Sequence, residues 1–303
     1  MPHKLRKLLL GLLMLIAAAT AFAWFYDKTG QKADPRFHAT VEAPAYLAGH
    51  PRVLIDEFHR NFHTASGRYK PLANLLRSDG YIVNPSNVQF SPENLKQTEI
   101  LIIANALGPE PHEGSPAFSS EEEAVVLDWV NQGGALLLIA DHAPFGGAAQ
   151  HLAAGFGVTM HLRYARDDRF HEGWDNERLV FSRANGLLND STITNGRNPA
   201  ERVNQVVTFT GQSLTGPEGS TSLLRLSDDA YDWESRKIRF PAKGHSQAVA
   251  VHYGKGRVLV VGEAALFSAQ VDMLGLKFGM NRPGNDNRQF ALNVAHWLSG
   301  LIK

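Results

Sequence analysis

Two acid–histidine groupings carry the chemistry that this chain could perform. The first is Asp56-Glu57-Phe58-His59-Arg60-Asn61-Phe62-His63. If that turn is helical, His59 and His63 share one face at a spacing that suits a metal ion. No glutamate lies between them, so the run is not a metalloprotease H-E-x-x-H. The second is Asp141-His142-Ala143-Pro144-Phe145-Gly146-Gly147. Here His142 would act as a general base, or would share a divalent metal with Asp141. Backbone N–H groups around Gly146, Gly147 and Ala148 would face an anion or an oxyanion. Glu263 adds a third carboxylate, and Asn281 follows it before the final helix. Carboxylates with nearby histidines suit a divalent cation or acid–base work. Each grouping also has a plain reading: Asp56 caps a turn, the histidines pack, and the Gly-Gly step only opens a helix. Asp286 is expected to cap the last helix.

These residues share a position relative to apolar runs. Val53-Leu54-Ile55 stops at Asp56 and Glu57, and Ile100 to Ala104 stops at Asn105. Ala135 to Ala140 stops at Asp141, and Val258 to Gly262 stops at Glu263. In an open parallel α/β sheet the carboxyl ends of the strands line one crevice, where ligands bind. The expected site is therefore Asp141, His142 and Glu263 as catalytic groups. Asp56, Glu57, Asn105, Gly146, Gly147 and Asn281 would bind the ligand, and His59 and His63 a metal.

Helical patterns separate the runs. Ser119–Gln132 opens on a capping-box pattern and ends at Gly133-Gly134. Another helix covers about Tyr69–Ser78. A last one begins near Asn285-Asp286-Asn287 and stripes Phe290, Val294, Trp297, Leu298 and Leu301 on one face. Runs alternating with helices predict an α/β fold with a mostly parallel sheet. Residues of about 157–256 instead show short β-type runs between glycine and asparagine turns, which predicts a β-rich insertion.

Composition excludes several functions. The formal net charge is zero over 303 residues, which argues against nucleic acid as a partner. Cysteine is absent, so there is no disulfide, thiolate zinc site or cysteine nucleophile. No Walker A run and no G-x-G-x-x-G occurs at a strand-to-helix turn. Gly244-His245-Ser246-Gln247-Ala248 resembles a nucleophile elbow, but a strand follows it where the elbow needs a helix. Lys4, Arg6 and Lys7 precede the uncharged run Leu8–Tyr26. Residues 1–26 thus read as a signal peptide cleaved after Ala21-Phe22-Ala23, or as a retained inner-membrane anchor. Either puts the rest of the chain outside the inner membrane, on the periplasmic side. Residues 27–51 read as a linker and 52–303 as the folded domain. Oligomeric state is left open.

The motifs also carry a family resemblance. Asp56 to His63 with Gly67-Arg68-Tyr69-Lys70, then Leu137 to Gly146, then Gly262-Glu263-Ala264-Ala265 are its core. Gly279-Met280-Asn281, Asp286-Asn287-Arg288-Gln289 and Asn293 complete it. Over about Arg52 to Leu301 the chain resembles domain of unknown function (DUF) family 4350, of the class I glutamine amidotransferase-like superfamily. That resemblance implies a flavodoxin-like three-layer α/β/α domain. It does not imply glutaminase activity, because a Cys-His-Glu triad cannot form without cysteine. Three functions follow as expectations: a binder of a small polar ligand such as a carbohydrate or cell-wall fragment, a metal- or Asp/His-assisted hydrolase, or a structural component of an envelope complex.

Overall fold

The computed structural model describes residues 30–109, 114–173, 176–235 and 238–303. Strands β1 (Arg52–Asp56), β2 (Ile82–Ser86), β3 (Ile100–Ala104) and β4 (Ala135–Ile139) run parallel in the order 2-1-3-4. After β5 (Ser246–Tyr253) the chain turns into β6 (Gly256–Val261), which adds parallel to β4. The hairpin leaves β5 antiparallel on the outer side of β6, and Leu214–Thr215 and Thr159–Met160 extend the sheet beyond it. The chain is thus mixed α/β with a mainly parallel central sheet, as expected from the alternation of runs.

Every residue of β3 and β4 is buried, which is why both read as unbroken apolar runs rather than alternating ones. Side chains still alternate between faces. Leu101, Ile103, Leu136 and Leu138 point into a core shared with α2 (Ser120–Asn131) and α3 (Phe145–Gly155). Ile100, Ile102, Leu137 and Ile139 point into a second core, with α1 (Lys70–Ser78) and α4 (Asn287–Leu298). Helices therefore cover both faces.

The helix signals hold in detail. Ser119 caps α2, with its hydroxyl accepting from the Glu122 N–H while Glu122 returns a bond to the Ser119 N–H. Pro71 lies in the first turn of α1, where its missing N–H costs nothing. Phe290, Val294, Trp297 and Leu298 of α4 are buried, whereas Leu301 is exposed. Asp286 departs from its expected role. Its side chain makes no cap bond, and its Oδ2 accepts instead from the N–H groups of Asn204 (2.7 Å) and Gln205 (3.1 Å).

The condition set for the first histidine grouping is not met: residues 57–69 form turns, because Asp56 draws the Phe58 N–H back and Arg60 adopts φ +50°. The described part of the expected linker, residues 30–51, packs onto the domain. Lys32–Ala33 pairs with Ala269–Val271, and Phe37, Ala39, Val41 and Tyr46 lie against the core. Between α3 and β5, Tyr164–Arg166, Tyr231–Ser235 and Ile238–Pro241 form one small sheet, and Val180–Ser182 pairs with Gln205–Val207. Among the described residues no helix is long and apolar enough to cross a membrane. The expected signal or anchor of residues 1–26 lies outside them.

Candidate functional site

The parallel register brings Asp56, Asn105, Asp141 and Glu263 to one edge of the sheet, Asp56 as the last residue of β1 and the others just beyond β3, β4 and β6. Asn105 joins them. It follows β3 at φ +48°, a left-handed conformation that asparagine tolerates better than most residues. Its N–H donates to the Ile139 carbonyl (2.9 Å), and its Oδ1 accepts from the Asp141 N–H (2.9 Å). Its Nδ2 donates to Asp141 Oδ2 at 2.7 Å. The other Asp141 oxygen accepts from the Ala264 N–H at 2.7 Å. Next to it, Glu263 accepts from the N–H groups of Ala265 (2.7 Å) and Leu266 (2.8 Å), closing the turn Ala265–Phe267. The Tyr69 hydroxyl donates to the Ala264 carbonyl at 2.9 Å.

Two carboxyl groups set this close in a buried edge cannot both ionise freely. Burial pushes Asp141 up to about 6, against the pull of Asn105, His142 and the Ala264 N–H. Burial and then the charge of Asp141 push Glu263 well above the usual range, against its backbone donors. Both acids therefore hold their protons to higher pH than free carboxylic acids do.

His142 faces outward from this pair. Its Nδ1 lies 2.7 Å from the Ala143 carbonyl, which only accepts, so Nδ1 carries the proton and Nε2 is the basic nitrogen. The ring stacks on Tyr164 at 3.9 Å, and Trp233 meets Tyr164 edge-on at 5.8 Å. An oriented, partly exposed imidazole beside an acid whose pKa is raised can accept a proton from a bound group.

The first grouping forms a different device. Asp56 is wholly buried and accepts from His59 Nδ1 (2.9 Å) and Asn61 Nδ2 (2.9 Å). The other nitrogen of His59, Nε2, lies 3.0 Å from Glu122 Oε1. With a carboxylate on each nitrogen, both must donate, so His59 is an imidazolium. Burial opposes that charge, but Asp56 and Glu122 outweigh it and raise the His59 pKa. Phe90 and Phe118 pack against the ring at 4.7 and 4.8 Å.

Over this ion triad opens a cavity of about 630 Å³, lined by Phe58, His59, Arg60, Phe118 and Glu122, with Gly108 and Pro109 on the β3 side. It lies where the strand order reverses, between β1 and β3. Asp56, Asp141 and Glu263 underlie the edge and do not line the cavity. The sequence reading missed its walls. Phe58 and Arg60 were passed over beside two histidines, and Glu122 was read only as a capping residue.

The remaining expected residues have other partners. The turn that holds His59 and His63 is not helical and His59 has a carboxylate at each nitrogen, so the shared helical face that suggested a metal pair is not formed. His63 is buried against Tyr69 (4.7 Å), and burial with the nearby Arg68 charge lowers its pKa to about 3. Glu57 accepts from the Ala65 N–H (2.7 Å) and orders the following turn. The Gly146 N–H donates to the His142 carbonyl rather than facing an anion. A Cβ on Gly146 would meet Gln212 Nε2 at 2.5 Å, and one on Gly147 the Gly114 nitrogen at 2.9 Å, so close packing accounts for both glycines. Asn281 donates to Asp34 Oδ2 and to the Gln270 carbonyl, each at 3.0 Å, and thereby ties the chain before α4 to Asp34 rather than to Asp141 or Glu263.

No protein-family model and no curated protein matches the chain. Among solved structures, the mmIFT52 N-terminal domain superposes with a TM-score of 0.60 at 16% identity, covering 82% of this chain and 97% of that one. ThuA-like proteins are more distant. The one from Bacteroides uniformis gives a TM-score of 0.43 at 12% identity over 88% of this chain and 95% of that chain. The one from Parabacteroides merdae gives 0.45 at 11% over 83% and 90%. At these identities the likeness to the mmIFT52 domain is one of fold: a mainly parallel sheet between helices, whose strand ends carry the site described above.

Proposed function

We propose that this chain is an exported, membrane-tethered domain that binds a small polar ligand, a carbohydrate or cell-wall fragment, beyond the carboxyl ends of β1 and β3. The observation that carries the reading is the cavity at the reversal of strand order, where open α/β sheets hold ligands. Its wall pairs an apolar ring, Phe58, with buried and exposed charge at His59, Glu122 and Arg60. A sugar presents the matching surfaces, C–H faces against a ring and hydroxyls against charged groups. The parallel order 2-1-3-4-6 supports a flavodoxin-like, glutamine amidotransferase-like assignment. Without cysteine the domain cannot assemble a Cys-His-Glu triad. The basic residues before Leu8–Tyr26 support export and tethering.

A second reading, an Asp/His-assisted hydrolase, is favoured by one observation: basic Nε2 of His142 stands beside an acid titrating near 6. Titration calorimetry and turnover assays on the full chain, with oligosaccharides and muropeptides, separate the two. A binder keeps its affinity in His142→Ala and shows no turnover in wild type. Turnover that disappears in His142→Ala while affinity stays would establish the hydrolase instead. No binding and no turnover with any ligand would remove both.

A further inference from the structure

A separate cluster of side chains with metal-ligand donor atoms lies on the segment between α3 and β5. His161, Asp232 and His245 each offer one donor atom, and these atoms lie within 4.8 Å of one another. They come from separate stretches: His161 follows Thr159–Met160, Asp232 lies in Tyr231–Ser235, and His245 precedes β5. The two imidazoles stack nearly parallel, with centroids 4.1 Å apart at 8°. Ser213 bridges the others. Its hydroxyl donates to Asp232 Oδ2 (2.8 Å) and lies 3.0 Å from His245 Nδ1.

The second observation concerns Asp232 alone. Only 2% of this residue is exposed, yet its Oδ1 has no hydrogen-bond partner among the described residues. A buried, unpartnered carboxylate oxygen is costly, and native structures rarely leave one without a reason. It belongs to the side chain that two imidazoles already approach. Backbone bonds fix each donor in place. The His161 N–H donates to the Ser213 carbonyl (3.1 Å), and the His245 N–H to the Ala242 carbonyl (3.0 Å). Asp232 is held in register opposite Ala165.

We propose that His161, His245 and Asp232 bind one divalent transition-metal ion of the zinc class. Two imidazoles and a carboxylate form a borderline nitrogen–oxygen donor set suited to such ions rather than to calcium or magnesium. Ser213 is a positioning residue that orients His245 and Asp232. Three protein ligands leave a coordination position, and both histidines keep some exposure through which water or a ligand can fill it. The ion ties together segments that also carry Tyr164 and Trp233, the rings backing His142.

The test uses the full chain, stripped with chelator and reloaded separately with zinc and with cobalt(II). We expect one zinc per chain after dialysis and a cobalt spectrum showing nitrogen and oxygen ligation. Affinity should fall at least tenfold in Asp232→Asn and in His245→Gln. If Asp232→Asn fails to fold, His161→Gln decides, because it leaves the buried carboxylate and Ser213 in place. A wild-type chain that takes up no zinc overturns the proposal. So does zinc retained equally in folded His161→Gln and His245→Gln.

Discussion

Asn105 shows how much one side chain can organise. It holds β4, orients Asp141 through two bonds and accepts the Phe62 N–H on its carbonyl. Asn105→Asp would put a second carboxylate against Asp141 and remove the Nδ2 donor. We expect a loss of roughly 2–3 kcal/mol, larger at pH 8 than at pH 5, measured by urea denaturation. Two titrating groups at this edge, half-buried Asp141 and buried His63, oppose each other. Asp141 has a folded pKa above its unfolded value, so its contribution is present at about pH 4 and lost as pH rises through about 6. His63 has a folded pKa of about 3, so its contribution is present above about 6.5 and lost as pH falls. Each amounts to up to about 3 kcal/mol between pH 6 and 4, and in wild type they nearly cancel. We expect His63→Phe to gain stability over that interval on acidification and Asp141→Asn to lose it. Parallel profiles for both variants would refute the assignment. At this scale the sequence was informative about position only. It brought Asp56, Asn105, Asp141 and Glu263 to the sheet edge by the ends of apolar runs. It could not reveal that Glu122, far along the chain and expected as a cap, would face His59.

The helix signals were the most legible because they depend on neighbours in sequence. Ser119 and Glu122 form their reciprocal cap as the spacing requires. Ser119→Ala should cost about 1 kcal/mol, the ordinary value of an N-cap. Glu122→Ala should cost more, about 3 kcal/mol, because it also strips one carboxylate from a buried imidazolium. Chemical denaturation of the two variants checks the ranking, and equal losses would mean that His59 draws nothing from Glu122. Less legible elements had weak local signals. Strand β2 carries Pro85 and forms the edge of the sheet, where a missing N–H is tolerated, so no apolar run announced it. The histidine spacing after β1 would have formed one face only in a helix, but Asp56 and Asn61 bond across the turn and hold it open.

Across the whole molecule, two cores clamp the sheet and leave its carboxyl edge to polar groups. Alternation of apolar runs and helices was enough to foresee that architecture. It was silent on long-range closure: Lys32–Ala33 pairing with Ala269–Val271, or Asp286 anchoring Asn204 and Gln205. The central claim is that the cavity between the ends of β1 and β3 is the ligand site. Its most direct test is ligand-observed NMR on the purified full chain with a panel of oligosaccharides and muropeptides, comparing wild type with Phe58→Ala. Phe58 is 44% exposed, so its removal should leave the fold intact. The account predicts saturation transfer to sugar ring protons in wild type and at least a tenfold weaker effect in the variant. Transfer of equal strength in both proteins, or none to any member of the panel, would contradict it.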